Sequence, residues 1–455
     1  MNNRTAVLFP GQGAYIPGIL AEYGDSPRVN QVLSDIDRTS AQFGYTDISA
    51  RLVEPDAPKL DELMQRPTEL SLVILAASLA GYEVLDTANV SGDVLMGHSV
   101  GEVAALAAGG AITAADATLL VCGRGKVLEQ DQDVSGGMLA VEVPPRRAEH
   151  MRAAVDDWSL AIAAYNSARQ TVLSGRDDGL RAVERVAETL GIRATRLASL
   201  HPFHNPIFAP FEGWLAEVAD GIAARPPTRP VYSPLLGRYV NTVEDVRRVY
   251  VEHLHRPVRF LQALRELEED GVDVFVECGA RQALVELARQ TVPSATVVAP
   301  FARRMSAREL DEQLQRVVPG AGDLTAALQR DRTDEAARPA PDVRAVPAQE
   351  LAAQQPPPEA ADDSGLPPHD TLVTELAELF ASSVGYPLEV FTEDADLEAE
   401  LGISSMKQIE LFTKVLDRYG IPNPPNNLRM RAYPTLPAIA ALLRQLAAGE
   451  PVETR

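Results

Sequence analysis

Cysteine is nearly absent. The 455-residue chain has only Cys122 and Cys278. Two cysteines build no disulfide framework and have no metal-ligand spacing, so a reducing compartment and no metal are expected. Long apolar runs are scarce as well. No stretch is expected to supply the ~20 apolar residues of a membrane span, and the run at Thr5–Phe9 is too short for a signal peptide. A cytoplasmic location without a membrane partner follows as the expectation. Positive charge is in deficit, with 42 Lys and Arg against 64 Asp and Glu and a net charge of −22. That balance argues against nucleic acid or an anionic membrane surface as a default partner. What is present is ordinary for a soluble globular protein, with 45% hydrophobic and 23% charged residues. The length suggests two or three domains.

Against this background one stretch carries the chemistry. Val94-Leu95-Met96 suits a buried strand and runs into Gly97-His98-Ser99-Val100-Gly101, with the Ala-rich segment Glu102–Leu106 following at once. Gly-x-Ser-x-Gly between strand and helix is the pattern of a nucleophile elbow, a sharp turn that holds a serine hydroxyl clear of the sheet. The glycines leave room where a Cβ would collide with a neighbouring strand or helix. The following helix start points unpaired N–H groups at any oxyanion formed there. The competing reading is a plain strand–turn–helix with a capping serine.

Along the chain, Thr5–Phe9 reads as a buried strand ending in Pro10-Gly11-Gln12-Gly13, a glycine loop where α/β sheets bind ligands. It is no dinucleotide fingerprint, because Ile16 stands where the third glycine belongs. Apolar spacing predicts helices over 29–43, 68–86 and 113–129, the last capped by Thr113. From residue 137 the order becomes β-α-β-β-α-β: strands 138–143, 160–165, 171–174 and 192–197, helices 144–156 and 180–190, with Asn166-Ser167 as a turn. This is the ferredoxin-like unit, inserted into a larger α/β sheet. Further strands are predicted at 230–233 and 272–276, and further helices at 243–253, 260–270 and 283–291. His98 is expected to turn away from the serine by strand alternation. His253 and His255 lack a third metal ligand and are expected to be structural, and Cys278 is expected in the core.

Composition shifts near residue 331. The stretch 339–368 is rich in Pro and Ala, including Pro356-Pro357-Pro358, and reads as a tether. A compact unit then follows with helical spacing at 372–380, 405–419 and 436–446, the pattern of a small four-helix bundle. The expected organisation is an α/β, α/β-hydrolase-like domain over 1–305 with its ferredoxin-like insert at about 134–198. A helical tail and linker over 306–368 and a carrier domain over 369–448 complete it.

Phe9-Pro10-Gly11-Gln12-Gly13, Gly97-His98-Ser99-Val100-Gly101-Glu102, Arg124-Gly125-Lys126 and Phe203-His204-Asn205-Pro206 stand in one order and spacing. As a set they resemble the malonyl-CoA:acyl-carrier-protein transacylase family, which includes the acyltransferase domains of polyketide synthases. Asp396-Leu397-Glu398-Ala399-Glu400-Leu401-Gly402-Ile403-Ser404-Ser405-Met406-Lys407 resembles an acyl carrier protein, with Ser405 at the phosphopantetheine attachment position. The family's usual aspartate before that serine is replaced by Ser404.

The resemblance implies a Ser99–His204 dyad whose histidine is oriented by a backbone carbonyl, at the position matching Arg259. It implies an oxyanion hole from the backbone N–H groups of Gln12 and Val100. Arg124 would grip the free carboxylate of a malonyl group with paired hydrogen bonds; a surface arginine is the alternative. His201-Pro202-Phe203-His204 looks like the malonyl-selective signature, His-Ala-Phe-His, with Phe203 leaving little room for an α-methyl group. Asn166 matches an active-site asparagine, or is a turn residue. Without the resemblance, His204 reads first as a core histidine fixed by neighbouring prolines. The function implied is transfer of a malonyl group from malonyl-CoA through a Ser99 ester to a phosphopantetheine thiol. The acceptor is an acyl carrier protein, its own or separate, serving polyketide or fatty-acid biosynthesis. A ketosynthase and a phosphopantetheinyl transferase are the implied partners. The alternatives are an acyltransferase or editing hydrolase for another acyl group, or a carrier and docking module whose transacylase part is a scaffold.

Overall fold

A computed structural model describes residues 4–130, 135–337, 367, 369–384, 388, 391–392, 395, 397, 411–412, 415–416, 418–419, 421, 433 and 435–447. The chain divides into two compact units, Met1–Asp342 and Val343–Arg455.

The first unit is built on strands that are apolar on both faces, which is what a parallel sheet covered on both sides requires. Strands β1 (Arg4–Phe9) and β2 (Val94–Gly97) are followed by four strands of the insert: β3 (Gly137–Val141), β4 (Ala161–Ser167), β5 (Gln170–Gly175) and β6 (Ala194–Leu197). The chain then returns through β7 (Val231–Ser233), β8 (Arg238–Tyr239), β9 (Val272–Glu277) and β10 (Thr296–Val298). The large sheet has the order β10-β9-β1-β2-β7-β8, parallel except for the edge strand β8. Alternation within the strands splits the core in two. Val7, Phe9, Leu95 and Val276 face the helices Pro27–Ala41, Pro67–Thr87 and Ala114–Gln130, while Ala6, Leu8, Met96 and Phe275 face Phe260–Glu269 and Ala283–Thr291.

One expectation is corrected here. Helix Pro67–Thr87 is long and apolar enough to cross a membrane by length and composition, but 94% of its most apolar window is buried inside the protein. Its apolarity is used on all sides for packing.

The inserted sheet has the order β4-β5-β3-β6, all antiparallel, with helices Pro145–Val155 and Asp177–Thr189 on one face. This is the ferredoxin-like arrangement expected from the order of elements. Its other face presents Ala163, Ala164 and Val172 to helices Phe260–Glu269 and Ala283–Thr291 of the large subdomain. The Tyr165 N–H donates to the Val258 carbonyl at 2.9 Å and stitches the two sheets' surroundings together. β4 runs two residues further than expected: Ser167 pairs with Gln170, so Asn166 lies in the strand and the turn falls on Ala168-Arg169.

In the second unit, helices His369–Val384 and Leu436–Ala447 bury Leu372, Leu376, Phe380, Ile439 and Leu443 against Leu397, Phe412 and Leu416. Ser404, Ser405, Lys407 and Ile409 lie outside the described residues, as does the Pro/Ala-rich stretch 338–366.

Candidate active site

The elbow is dictated by two missing Cβ atoms. A Cβ on Gly97 would stand 2.2 Å from the Glu102 nitrogen, and one on Gly101 would stand 2.0 Å from the Phe9 carbonyl oxygen. Both distances are prohibitive, so helix Gly101–Ala108 can approach β1 and β2 this closely only with glycine at both positions. Between them Ser99 takes a left-handed conformation, φ +54°. That turn breaks the strand alternation behind the expectation that His98 faces away. His98 instead lines the same cleft as Ser99, where Asn166 Oδ1 holds its Nε2 at 2.9 Å.

Ser99 Oγ lies 2.8 Å from His204 Nε2. His204 is 2% exposed and also sits at positive φ, +57°. Its loop is pinned by Asn205, whose side-chain nitrogen donates to the carbonyls of Ser159 and Ser174 and whose backbone N–H donates to Leu254 O. His204 Nδ1 donates to the Arg256 carbonyl at 3.0 Å, which leaves Nε2 free to accept the seryl proton. The orienting carbonyl is therefore that of Arg256, not Arg259. Arg259 stands at the start of helix Phe260–Glu269, and its carbonyl accepts from Ala263 N, so it is already committed. Burial drives the His204 pKa down to about 3, with the neighbouring His98 and Arg124 acting in the same direction. The imidazole is neutral at physiological pH, in the form that takes a proton.

Two spaces meet at Ser99. A cleft of about 560 Å³ runs between the subdomains, lined on one side by Met138, Ala164 and Val172 and on the other by Leu284 and Leu287. The amides of Gln170 and Gln290 supply polar points along it. A much smaller cavity, about 20 Å³, lies behind the serine and is bordered by Gln12, Pro67, Ser71, Val100, Arg124 and Phe203. The structure thus brings Gln12, Ser99, Val100, Arg124 and Phe203 together as expected from the sequence. Arg124 is buried, not a surface arginine, and burial lowers its pKa to about 10. Its Nη2 donates to Ser71 Oγ at 2.8 Å, and its guanidinium carbon sits 5.9 Å from the centre of the Phe203 ring. Phe203 stacks on Phe208 and meets His201 edge-on. Asn166 also donates to Gln170 Oε1 at 2.8 Å and borders the large cleft rather than the small cavity.

Sequence reasoning passed over three residues here. Ser71 is one of three polar residues, with Thr68 and Glu69, in the first turns of a mostly apolar helix. His253, read as structural, packs 5.2 Å from the His204 ring and reaches Arg124. Asn205, part of the Phe203–Pro206 motif, pins the loop that carries His204.

A buried, neutral imidazole bonded to a serine on an elbow is an arrangement in which a seryl oxygen can act as a nucleophile. Comparison with known proteins narrows that chemistry. Residues 7–334 match the acyl transferase domain family, and residues 374–443 match the phosphopantetheine attachment site family. The chain belongs to the acyl transferase domain family and carries a phosphopantetheine-binding domain after it.

Among its relatives, a phenolphthiocerol synthesis polyketide synthase of Mycobacterium marinum is 31% identical over 305 residues, 65% of this chain and 14% of that protein. The malonyl CoA-acyl carrier protein transacylase of Bacillus subtilis is 28% identical over 295 residues, 63% of this chain and 90% of the relative. The crystal structure of an acyl-carrier-protein S-malonyltransferase from Burkholderia pseudomallei superposes with a TM-score of 0.62 at 25% identity, covering 69% of this chain and 99% of that one. The chain thus spans only a small part of the polyketide synthase and nearly all of the free-standing transacylase.

Proposed function

We propose that the protein transfers a malonyl group from malonyl-CoA to the phosphopantetheine thiol of an acyl carrier protein by way of an ester on Ser99. The observation that carries this reading is the buried Arg124, bordering the same small cavity as Ser99. A guanidinium buried beside a nucleophile is a receptor for a carboxylate, and malonyl is an acyl group that ends in one.

Ser99 Oγ attacks the thioester carbonyl while His204 Nε2 takes its proton. The backbone N–H groups of Gln12 and Val100 receive the negative charge on the former carbonyl oxygen. On collapse the carbon–sulfur bond breaks, and the leaving thiolate takes the proton from His204. In the return half-reaction His204 deprotonates the incoming thiol and delivers the proton back to Ser99 Oγ as the ester bond breaks. Phosphopantetheine supplies only that thiol, on a long arm. The cleft fits such an arm, with apolar walls for its methylenes and Gln170 and Gln290 for its amides. On this chain the arm belongs on Ser405, and the tethered domain is one acceptor, favoured by its effective concentration. A separate carrier and a polyketide synthase ketosynthase are the other partners. Phe203, which borders the space beside Ser99 and Arg124, supports malonyl over its α-methyl analogue, because a bulky ring there leaves little room for a methyl group.

Intact-mass spectrometry after incubation with malonyl-CoA tests the proposal. A malonyl adduct in the parent that is lost in Ser99→Ala is expected. Labelling by acetyl-CoA but not malonyl-CoA refutes it.

A further inference from the structure

Among the described residues Arg124 is a cation without a counter-ion. No carboxylate among them pairs with it, although it is only 7% exposed. Leaving a charge buried and unpaired is costly, so what does surround it matters. Its head meets the Ser71 hydroxyl, the His253 imidazole and the Phe203 ring, all neutral, and the Tyr250 phenol lies close enough to interact with it.

Ser71 is fully determined as an acceptor. Its Oγ donates its single hydrogen to the Pro67 carbonyl one turn earlier at 2.8 Å, which leaves only lone pairs for Arg124 Nη2. His253 provides a second, longer contact, with Nδ1 at 3.5 Å from Arg124 Nη1. Accepting there requires an unprotonated Nδ1. Burial, then Arg124, and then His204 hold the His253 pKa well below its ordinary value, so the ring stays neutral. The two acceptors come from separate elements, the first turns of helix Pro67–Thr87 and the segment after helix Val243–Val251. They occupy two of the five guanidinium N–H donors and leave the others for a ligand. An aspartate or glutamate in either place would fix the guanidinium equally well, but it would neutralise the charge and compete with an incoming carboxylate.

We propose that Ser71 and His253 are positioning residues: they orient the Arg124 guanidinium without neutralising it, and so set the preference for an acyl group that ends in a carboxylate. This rests on the malonyl reading above. It is a preference exerted through Arg124; Ser71 acts there alone, while His253 also packs on the His204 ring.

The test uses the full chain, malonyl-CoA and acetyl-CoA as paired donors, and free pantetheine as the acceptor. Ser71→Ala is expected to raise KM for malonyl-CoA by about 10-fold or more, the scale of a hydrogen bond to a charged group. The loss for acetyl-CoA is smaller, so the malonyl-to-acetyl ratio of kcat/KM falls, and Ser71→Thr, which keeps the hydroxyl, recovers most of that ratio. His253→Phe keeps a ring and removes the acceptor; it shifts the same ratio in the same direction, and it carries the comparison if Ser71→Ala fails to fold. Equal losses for both donors, or an unchanged malonyl-to-acetyl ratio in both variants, overturn the inference while the malonyl reading stands. A parent that is inert toward malonyl-CoA overturns the two together.

Discussion

Replacing Gly101 by alanine adds one methyl group where there is no room for it. The new Cβ would lie 2.0 Å from the Phe9 carbonyl oxygen, 2.7 Å from its carbon and 2.8 Å from the Pro10 carbonyl oxygen. All three are backbone atoms, so no side chain can rotate away. Ordinary contact begins at 3.4 Å, so helix Gly101–Ala108 must retreat from β1 by roughly 1 Å or more. Ser99 is two residues away and its Oγ must stay 2.8 Å from His204 Nε2. A misplacement of about 1 Å at a reacting group costs on the order of 100-fold in rate. Overpacking of this kind also destabilises by about 1–3 kcal/mol. Gly213→Ala is the control: its Cβ meets nothing within 4 Å, and it lies in helix Glu212–Asp220. It should be neutral or stabilising by up to about 1 kcal/mol. Initial rates of Ser99 malonylation by intact mass, with a thermal melt of each variant, read both effects. A Gly101→Ala protein that acylates within threefold of the parent would show that the elbow does not need its glycine and would sink the argument.

The remaining predictions concern charge and shape at the same site. Glu102 is wholly buried beside Ser233, and burial raises its pKa from 4.5 to about 8. Between those values the unfolded chain has lost this proton and the folded chain has kept it, so stability falls as pH rises through the window, by up to a few kcal/mol. Glu102→Gln removes the titration, and urea midpoints measured from pH 5 to pH 8 should decline less steeply than in the parent; parallel slopes refute this. Phe203→Ala opens the ~20 Å³ cavity, and labelling by methylmalonyl-CoA relative to malonyl-CoA should rise by about 10-fold, the worth of one methyl group in a pocket. An unchanged ratio would place the selectivity elsewhere.

The parts of this site legible from sequence are those in which the fold demands a particular residue type. Gly97 and Gly101 could be read because no other residue fits between helix and strand. The apolar alternation of β3 to β6 and of the helices between them gave the insert to within about three residues. Where composition serves two environments equally, it does not separate them: helix Pro67–Thr87, expected as a helix over 68–86, has the apolarity of a membrane span and is a core helix. Where the function belongs to the backbone, residue identity holds little information. Ser99 and His204 both adopt positive φ, a conformation that serine does not signal and histidine signals only weakly. The partner of His204 Nδ1 is a carbonyl, and every residue near it has one. What selects Arg256 over Arg259 is availability. The Arg259 carbonyl is taken by the first turn of the helix that follows, through Ala263 N, whereas the Arg256 carbonyl precedes that helix and is turned toward the imidazole. Knowing where a helix begins thus decides which carbonyls are left to do chemistry.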